Sequence, residues 1–248
     1  MFGDYLINAK TKPKSSEEID QLITGNQKLN EFLSGGFKRG LIYELQGQSL
    51  TGKSYFLNGL LYNNIPRERI LFIDTNSSFC YDNLIGHKEY ATFKTNIDHI
   101  ENILDLKDLL NYFQELHRKA EIGSYSFIII DSLSLIANKS SNKDDEIVKE
   151  FNNLILSVVS KFNVGFIYTS TCRLKDKILY DFKDLNIKTP LSKEMESNLL
   201  GNLIFLHDYT LYFVGGSYSF NLNGIKNRKY FIKIKKEKGH PIDILVEL

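Results

Sequence analysis

The sequence predicts an α/β fold: a central, mainly parallel sheet with helices on both faces and antiparallel strands at its C-terminal end. Three observations carry this. Runs that are apolar throughout alternate with helix-length segments between Leu41 and Ser170. A glycine-rich loop joins the first of these runs to a helix, and beyond residue 200 strand-like runs follow one another with no helix between them. Strands that are apolar on both faces belong in a sheet covered on both sides, which is what helical crossovers between parallel strands produce.

Residues 1–22 are polar and lysine-rich, with Pro13 and the pair Ser15 and Ser16, and read as an arm before the compact body. A short helix fits Gln27 to Leu33, with Thr24 or Asn26 as its N-cap and Gly35 and Gly36 as its stop. A strand at Leu41 to Leu45 and a helix from Lys53 to about Asn63 come next. Then follow a strand at Ile70 to Asp74, a helix from about Leu104 to Lys119 and a strand at Phe127 to Asp131. A helix from Asp145 to Phe162 leads into a strand at Val164 to Ser170. From Cys172 to Lys193 the chain is charged and without clear periodicity, a length more typical of a functional or disordered loop than of a simple connection. Strands are then expected at Leu203 to His207, Thr210 to Val214, Lys229 to Lys236 and Ile242 to Val246, extending the sheet in antiparallel fashion.

The 248 residues, 42% of them hydrophobic, can bury one full core. Lysine and arginine (31) almost cancel aspartate and glutamate (30), so any nucleic-acid contact must come from local clustering of charge. Cys80 and Cys172 have neither disulfide-framework nor metal-ligand spacing, and a reducing, intracellular setting is the simplest reading. No apolar run reaches bilayer length and the N-terminal stretch lacks a secretion signal, so a soluble chain with no membrane partner is expected. None of the five histidines has metal-ligand spacing.

Gly47, Gln48, Ser49, Leu50, Thr51, Gly52, Lys53 and Ser54 satisfy the pattern GxxxxGK[ST], between an apolar strand and a helix. Backbone N–H groups of such a loop and helix N-terminus surround phosphates, so ATP with Mg²⁺ is the expected ligand. Lys53 would sit on the β and γ oxygens and Ser54 on Mg²⁺. Asp131 ends an apolar strand at the carboxyl side of the sheet, where it can hold the Mg²⁺ shell through water.

Ile23 to Ser54 resembles the lead-in to the ATPase core of the RecA-like strand-exchange recombinases of eukaryotes and archaea. Thr24, Gly25, Leu29, Leu33, Gly35, Gly36, Gly40, Ile42 and Glu44 match that element, and Asn30 replaces its usual aspartate. The resemblance continues through Leu71 to Phe79, Ile128 to Ile136, Phe166 to Thr171 and Lys236 to Pro241. It implies a RecA-like core over residues 23–248 and a role in homologous-recombination DNA repair, in the nucleus if the chain is eukaryotic. Two departures imply slow or absent hydrolysis. Where active members carry the glutamate that activates water, this chain has Asn76, which cannot take a proton. Ser170 and Thr171 stand where the family has an Asn-Gln pair that senses the γ-phosphate. Glu44 or Asp74 remains an alternative base.

The chain therefore resembles a recombinase paralogue of the D-type or XRCC-type branch. The resemblance implies a heteromer with another paralogue or with the main recombinase filament, and weak or partner-dependent binding of single-stranded DNA. A self-sufficient DNA-dependent ATPase and strand-exchange protein like the short archaeal RadB-type proteins is the alternative. Leu6 and Ala9 match the family's filament-docking strand motif with leucine for phenylalanine, and His240 and Pro241 match the segment lying over a neighbour's nucleotide. The family's first DNA loop would hold Lys139 and Lys143, and its second Arg173, Lys175 and Lys177. Lys229, Lys233 and Lys235 form the charged face of a basic strand, either solvated or a DNA or acidic-partner patch.

Overall fold

The structure, a computed structural model, describes residues 21–64, 68–79, 95–137, 145–174, 195–197, 208–221, 224–236 and 244–247; at 145, 172–174, 195–197, 214–221, 224–236 and 244–247 the backbone alone is described. The chain order is β1 (Gln21–Leu22), α1 (Gln27–Phe32), β2 (Phe37–Lys38), β3 (Ile42–Gly47), α2 (Lys53–Asn64), β4 (Ile70–Asp74) and β5 (Ile97–Ile100). Then come α3 (Leu106–Arg118), a 3₁₀ turn at Ile122–Ser124, β6 (Phe127–Asp131), α4 (Leu133–Ala137), α5 (Asp145–Phe162), β7 (Gly165–Leu174), β8 (Met195–Ser197), β9 (Tyr209–Asn221), β10 (Gly224–Lys236) and β11 (Ile244–Glu247).

The main sheet has the order β11-β10-β9-β3-β7-β6-β4-β5, and every pairing from β5 to β9 is parallel. The first C-terminal strand, expected to run antiparallel, is instead parallel to β3, with Tyr43 opposite Tyr209 and Gly47 opposite Phe213. Antiparallel pairing is made by the short β8 with the end of β7, and by β10 with both β9 and β11. The strand expected at Leu203 to His207 lies outside the described residues.

Alternation along the fully buried strands divides the core into two layers. Leu71, Ile73, Ile128, Ile130, Phe166 and Tyr168 face the side covered by α3, α4 and α5. Ile70, Phe72, Phe127, Ile129 and Ile167 face the side covered by α1 and α2. Each such side chain withdrawn from water contributes about 1.5–3 kcal/mol, and β4 and β6 accordingly carry no polar residue before the aspartate at their carboxyl ends. Helix α3 starts at Leu106 because Asp105 caps it, its side chain accepting from the Asp108 N–H at 2.9 Å. Leu106, Leu109, Leu110, Phe113 and Leu116 form its buried stripe, and Phe113 stacks on Phe151 of α5 at 5.9 Å.

The lead-in to β3 is bound to the body by polar contacts. Asn26 is the N-cap of α1, accepting from the Leu29 N–H at 3.0 Å. Asn30 Oδ1 accepts from both the Thr24 hydroxyl (2.8 Å) and the Thr24 N–H (2.9 Å). An amide oxygen thus does here what a carboxylate oxygen could do. Asn64, fully buried at the end of α2, exchanges two hydrogen bonds with the Ile23 backbone, each 2.9 Å. Gln21 and Leu22 were expected to end the arm. They pair with Lys38 and Phe37, and Leu22 is completely buried in the core. Gly36, at φ 146°, passes so close that a Cβ there would meet the Leu22 carbonyl oxygen.

Candidate functional site

The carboxyl ends of β3, β7, β6 and β4 lie side by side, the position at which parallel α/β sheets present their functional groups. Each end contributes something different.

After β3 the chain turns through residues 47–52 into α2. Leu50 (φ 66°, 83% exposed) and Gly52 (φ 97°) supply the left-handed conformations of the turn. A Cβ on Gly47 would stand 2.7 Å from the Phe213 carbonyl oxygen, so the close approach of β9 accounts for glycine there. Thr51 Oγ1 donates to the Gln48 carbonyl at 2.8 Å. The Lys53 ammonium is buried inside the turn and donates to the carbonyls of Gly47 and Gln48, both at 2.8 Å. Ser54 lies one residue further into the helix, half-buried, and the first turn of α2 contains no acidic residue. A cation, a glycine-shaped cradle and the N-terminus of a 12-residue helix converge here, a donor set that fits a polyphosphate.

Asp131 at the end of β6 is buried and accepts from three side-chain donors. Its Oδ1 accepts from Thr169 Oγ1 at 2.6 Å and Asn76 Nδ2 at 3.2 Å, and its Oδ2 from Ser78 Oγ at 2.9 Å. Asn76 therefore does stand next to this carboxylate, at the solvent-facing mouth of the site. Ser78 and Thr169 were not identified from the sequence. Their role depends on how three strand ends meet, and the only local signal was a run of hydroxyl residues behind apolar strands.

Asp74, at the end of β4, builds the turn that carries Asn76 and Ser78. Its Oδ1 accepts from the Asn76 and Ser78 N–H groups, both at 3.1 Å, and its Oδ2 from the Phe79 N–H at 2.9 Å. Burial pushes this carboxyl up, but His99 and the three backbone donors outweigh burial and leave it below its ordinary range. A carboxylate so committed is a poor proton acceptor. Glu44 is also engaged: Ser170 Oγ donates to its Oε1 at 2.5 Å in the buried interior between β3 and β7. Thr171 is tied to Ser134 Oγ through its N–H (3.0 Å) and its hydroxyl (3.2 Å).

Arg173 lies in β7, and Lys229, Lys233 and Lys235 lie in β10 in register with Ser217, Tyr212 and Thr210. Leu6, Ala9, Lys139, Lys143, Lys175, Lys177, His240 and Pro241 lie outside the described residues. No helix among the described residues is long and apolar enough to cross a membrane.

A six-stranded parallel core with a phosphate-loop sequence after β3 and an aspartate at the end of β6 is the RecA-like arrangement, and the chain has the RecA-like fold. Among solved structures it matches the crystal structure of the RadB recombinase with a TM-score of 0.63, over 92% of this chain and 94% of that one, at 14% identity. In sequence it is similar to the DNA repair protein RAD55 of Saccharomyces cerevisiae, 30% identical over 139 residues, 52% of this chain and 32% of that protein. It is also similar to the DNA repair and recombination proteins RadB of Methanosphaera stadtmanae (24% identical; 65% of this chain, 71% of that one) and of Thermococcus sibiricus (24%; 70% and 75%). The match to RAD55 thus spans about a third of that protein's length. No protein-family model matches the chain.

Proposed function

We propose that the chain is an ATP-binding recombinase paralogue, acting in homologous-recombination DNA repair within a heteromer that binds or remodels a recombinase filament on single-stranded DNA. The observation that carries this reading is the side chain facing Asp131. It is the amide of Asn76, and the two carboxylates named as alternative bases, Glu44 and Asp74, are engaged elsewhere. The backbone of Gly47, Gln48, Ser49, Leu50, Thr51 and Gly52 would cradle the phosphates, and Lys53 would exchange its two carbonyl partners for phosphate oxygens. Ser54 would ligate Mg²⁺ directly and Asp131 through water. Bound Mg²⁺-ATP supplies a dense negative charge that a neighbouring subunit's cations can read.

Asn76 can orient a water through its amide but cannot take the water's proton. Loss of a positioned general base typically lowers a rate by about 10²–10⁴. Nucleotide then acts as a ligand that holds an interface rather than as fuel. The names of the relatives, a DNA repair protein and two DNA repair and recombination proteins, support the process, and a nuclear location follows if the chain is eukaryotic.

The test is the mass of the complex co-purified from cells in ATP, compared between wild type and Lys53→Ala. A heteromeric partner retained by wild type and lost by the variant is the expected result. Identical assembly of the two proteins counts against nucleotide as the interface ligand. A self-sufficient DNA-dependent ATPase is a second reading, favoured by matches that cover 71% and 75% of the two RadB proteins. It requires DNA-stimulated turnover that Glu44→Gln or Asp74→Asn abolishes.

A further inference from the structure

Beside the loop that carries Asn76, at the outer end of the parallel sheet, one imidazole and two carboxylates converge. Phe72 of β4 is in register with His99 of β5, so Asp74, two residues on in β4, stands near Glu101, two residues on from His99. His99 Nε2 is 3.6 Å from Asp74 Oδ2 and 3.6 Å from Glu101 Oε1, and the three atoms all lie within 4.8 Å of one another. At 3.6 Å neither contact has the length of a good hydrogen bond. Zinc bonds of about 2.0–2.1 Å in a tetrahedral shell put ligand atoms about 3.3 Å apart, so the two 3.6 Å contacts need close by only a few tenths of an ångström, with the two carboxylates drawing in from within 4.8 Å, to supply three corners of such a shell.

The donors are also pre-oriented. The His99 ring is stacked on Phe72 (5.4 Å, 22°) and packed against Phe79 (5.2 Å, 53°). Asp74 is fixed by the N–H groups of Asn76, Ser78 and Phe79, and its Oδ2, which accepts one of them, keeps a lone pair for a cation. Fixing of ligands by their outer partners is a regular feature of built metal sites. The Asp74 side chain is fully buried and that of His99 7% exposed, whereas that of Glu101 is 50% exposed, which leaves a path for the ion and a position for water. Imidazole with two carboxylates suits a borderline divalent ion better than Mg²⁺, which prefers oxygen alone.

We propose that Asp74, His99 and Glu101 form a divalent transition-metal site of the Zn²⁺ class, distinct from the phosphate loop. It would fasten the end of β5 to the 75–79 turn, whose Asn76 and Ser78 hold Asp131, so that occupancy stiffens the turn. The inference does not depend on nucleotide binding.

The test is calorimetric titration of the chelator-stripped full chain with Zn²⁺ in the absence of nucleotide, repeated on Glu101→Gln and His99→Gln. Glu101 is half-exposed and its variant keeps the core intact; circular dichroism checks the His99 variant. One equivalent is expected to bind, with a loss of affinity of at least about tenfold in each folded variant. Co²⁺ in the same site is expected to show visible absorption bands that Glu101→Gln removes. Absence of zinc binding would mean that His99 serves only as an ion-pair partner, and overturns the proposal. Binding that is unchanged in Glu101→Gln overturns it equally, since donors elsewhere in the chain would then be responsible.

Discussion

A single amide decides how the carboxyl ends of the sheet can behave. Asn76 donates to Asp131 at 3.2 Å, where a glutamate would instead bring a second negative charge beside a buried carboxylate. Asn76→Glu is therefore expected to raise single-turnover ATP hydrolysis, by about 10²-fold, the low end of what a general base supplies, because the new acid is repelled by Asp131 until Mg²⁺ intervenes. Rapid-quench measurement with saturating Mg²⁺-ATP checks this, and an unchanged rate would show that the missing proton acceptor does not limit hydrolysis. The turn from β3 into α2 was legible in the sequence because its geometry is local: eight consecutive residues specify the turn, the cation and the helix start. Asn76 was legible only as an offset from the strand before it. Ser78 and Thr169 were not legible at all, because each becomes a donor to Asp131 only after β4, β6 and β7 are in register and Asp74 has folded the turn.

Among the elements, the strands that announced themselves were those buried on both faces. Ile70–Asp74 and Phe127–Asp131 are observed as read, since five buried residues in a row admit few alternatives. The edge strand Ile97–Ile100 was missed: Ile-Asp-His-Ile is short, half polar and without turn signals, and its existence depends on pairing with β4. The parallel orientation of β9 was likewise beyond local pattern, for it shows only in the register of Tyr209 to Phe213 with β3. The lead-in shows the reverse case, a segment whose weak propensities are overridden by contacts. Leu22 sits in a two-residue strand yet is completely buried with Leu29, Phe37 and Leu61. Leu22→Ala is accordingly expected to destabilise the chain by about 2–5 kcal/mol, the range for emptying a core leucine site. Chemical denaturation measures it, and a loss below about 0.5 kcal/mol would return this residue to the arm.

For the molecule as a whole, charge balance constrains the proposed role on DNA. A net charge of +1 gives no long-range attraction to a polyanion, so single-strand binding must rest on few local contacts and be sensitive to salt. The basic strand β10 is the largest described source of such contacts. Each phosphate neutralised on a single strand contributes about −0.7 to the slope of log K against log salt. If Lys229, Lys233 and Lys235 each meet one phosphate, replacing all three by glutamine makes the slope shallower by about two while leaving sequence preference unaltered. Fluorescence anisotropy with a labelled oligothymidine, titrated between low and physiological salt, reads that change directly. A slope identical to wild type would make β10 a solvated edge of the sheet and move the nucleic-acid contact to other elements or to a partner. The result also bears on assembly. Under the proposed function, a chain that grips DNA through only a few lysines would take its position on the strand from partner subunits that bind it more strongly.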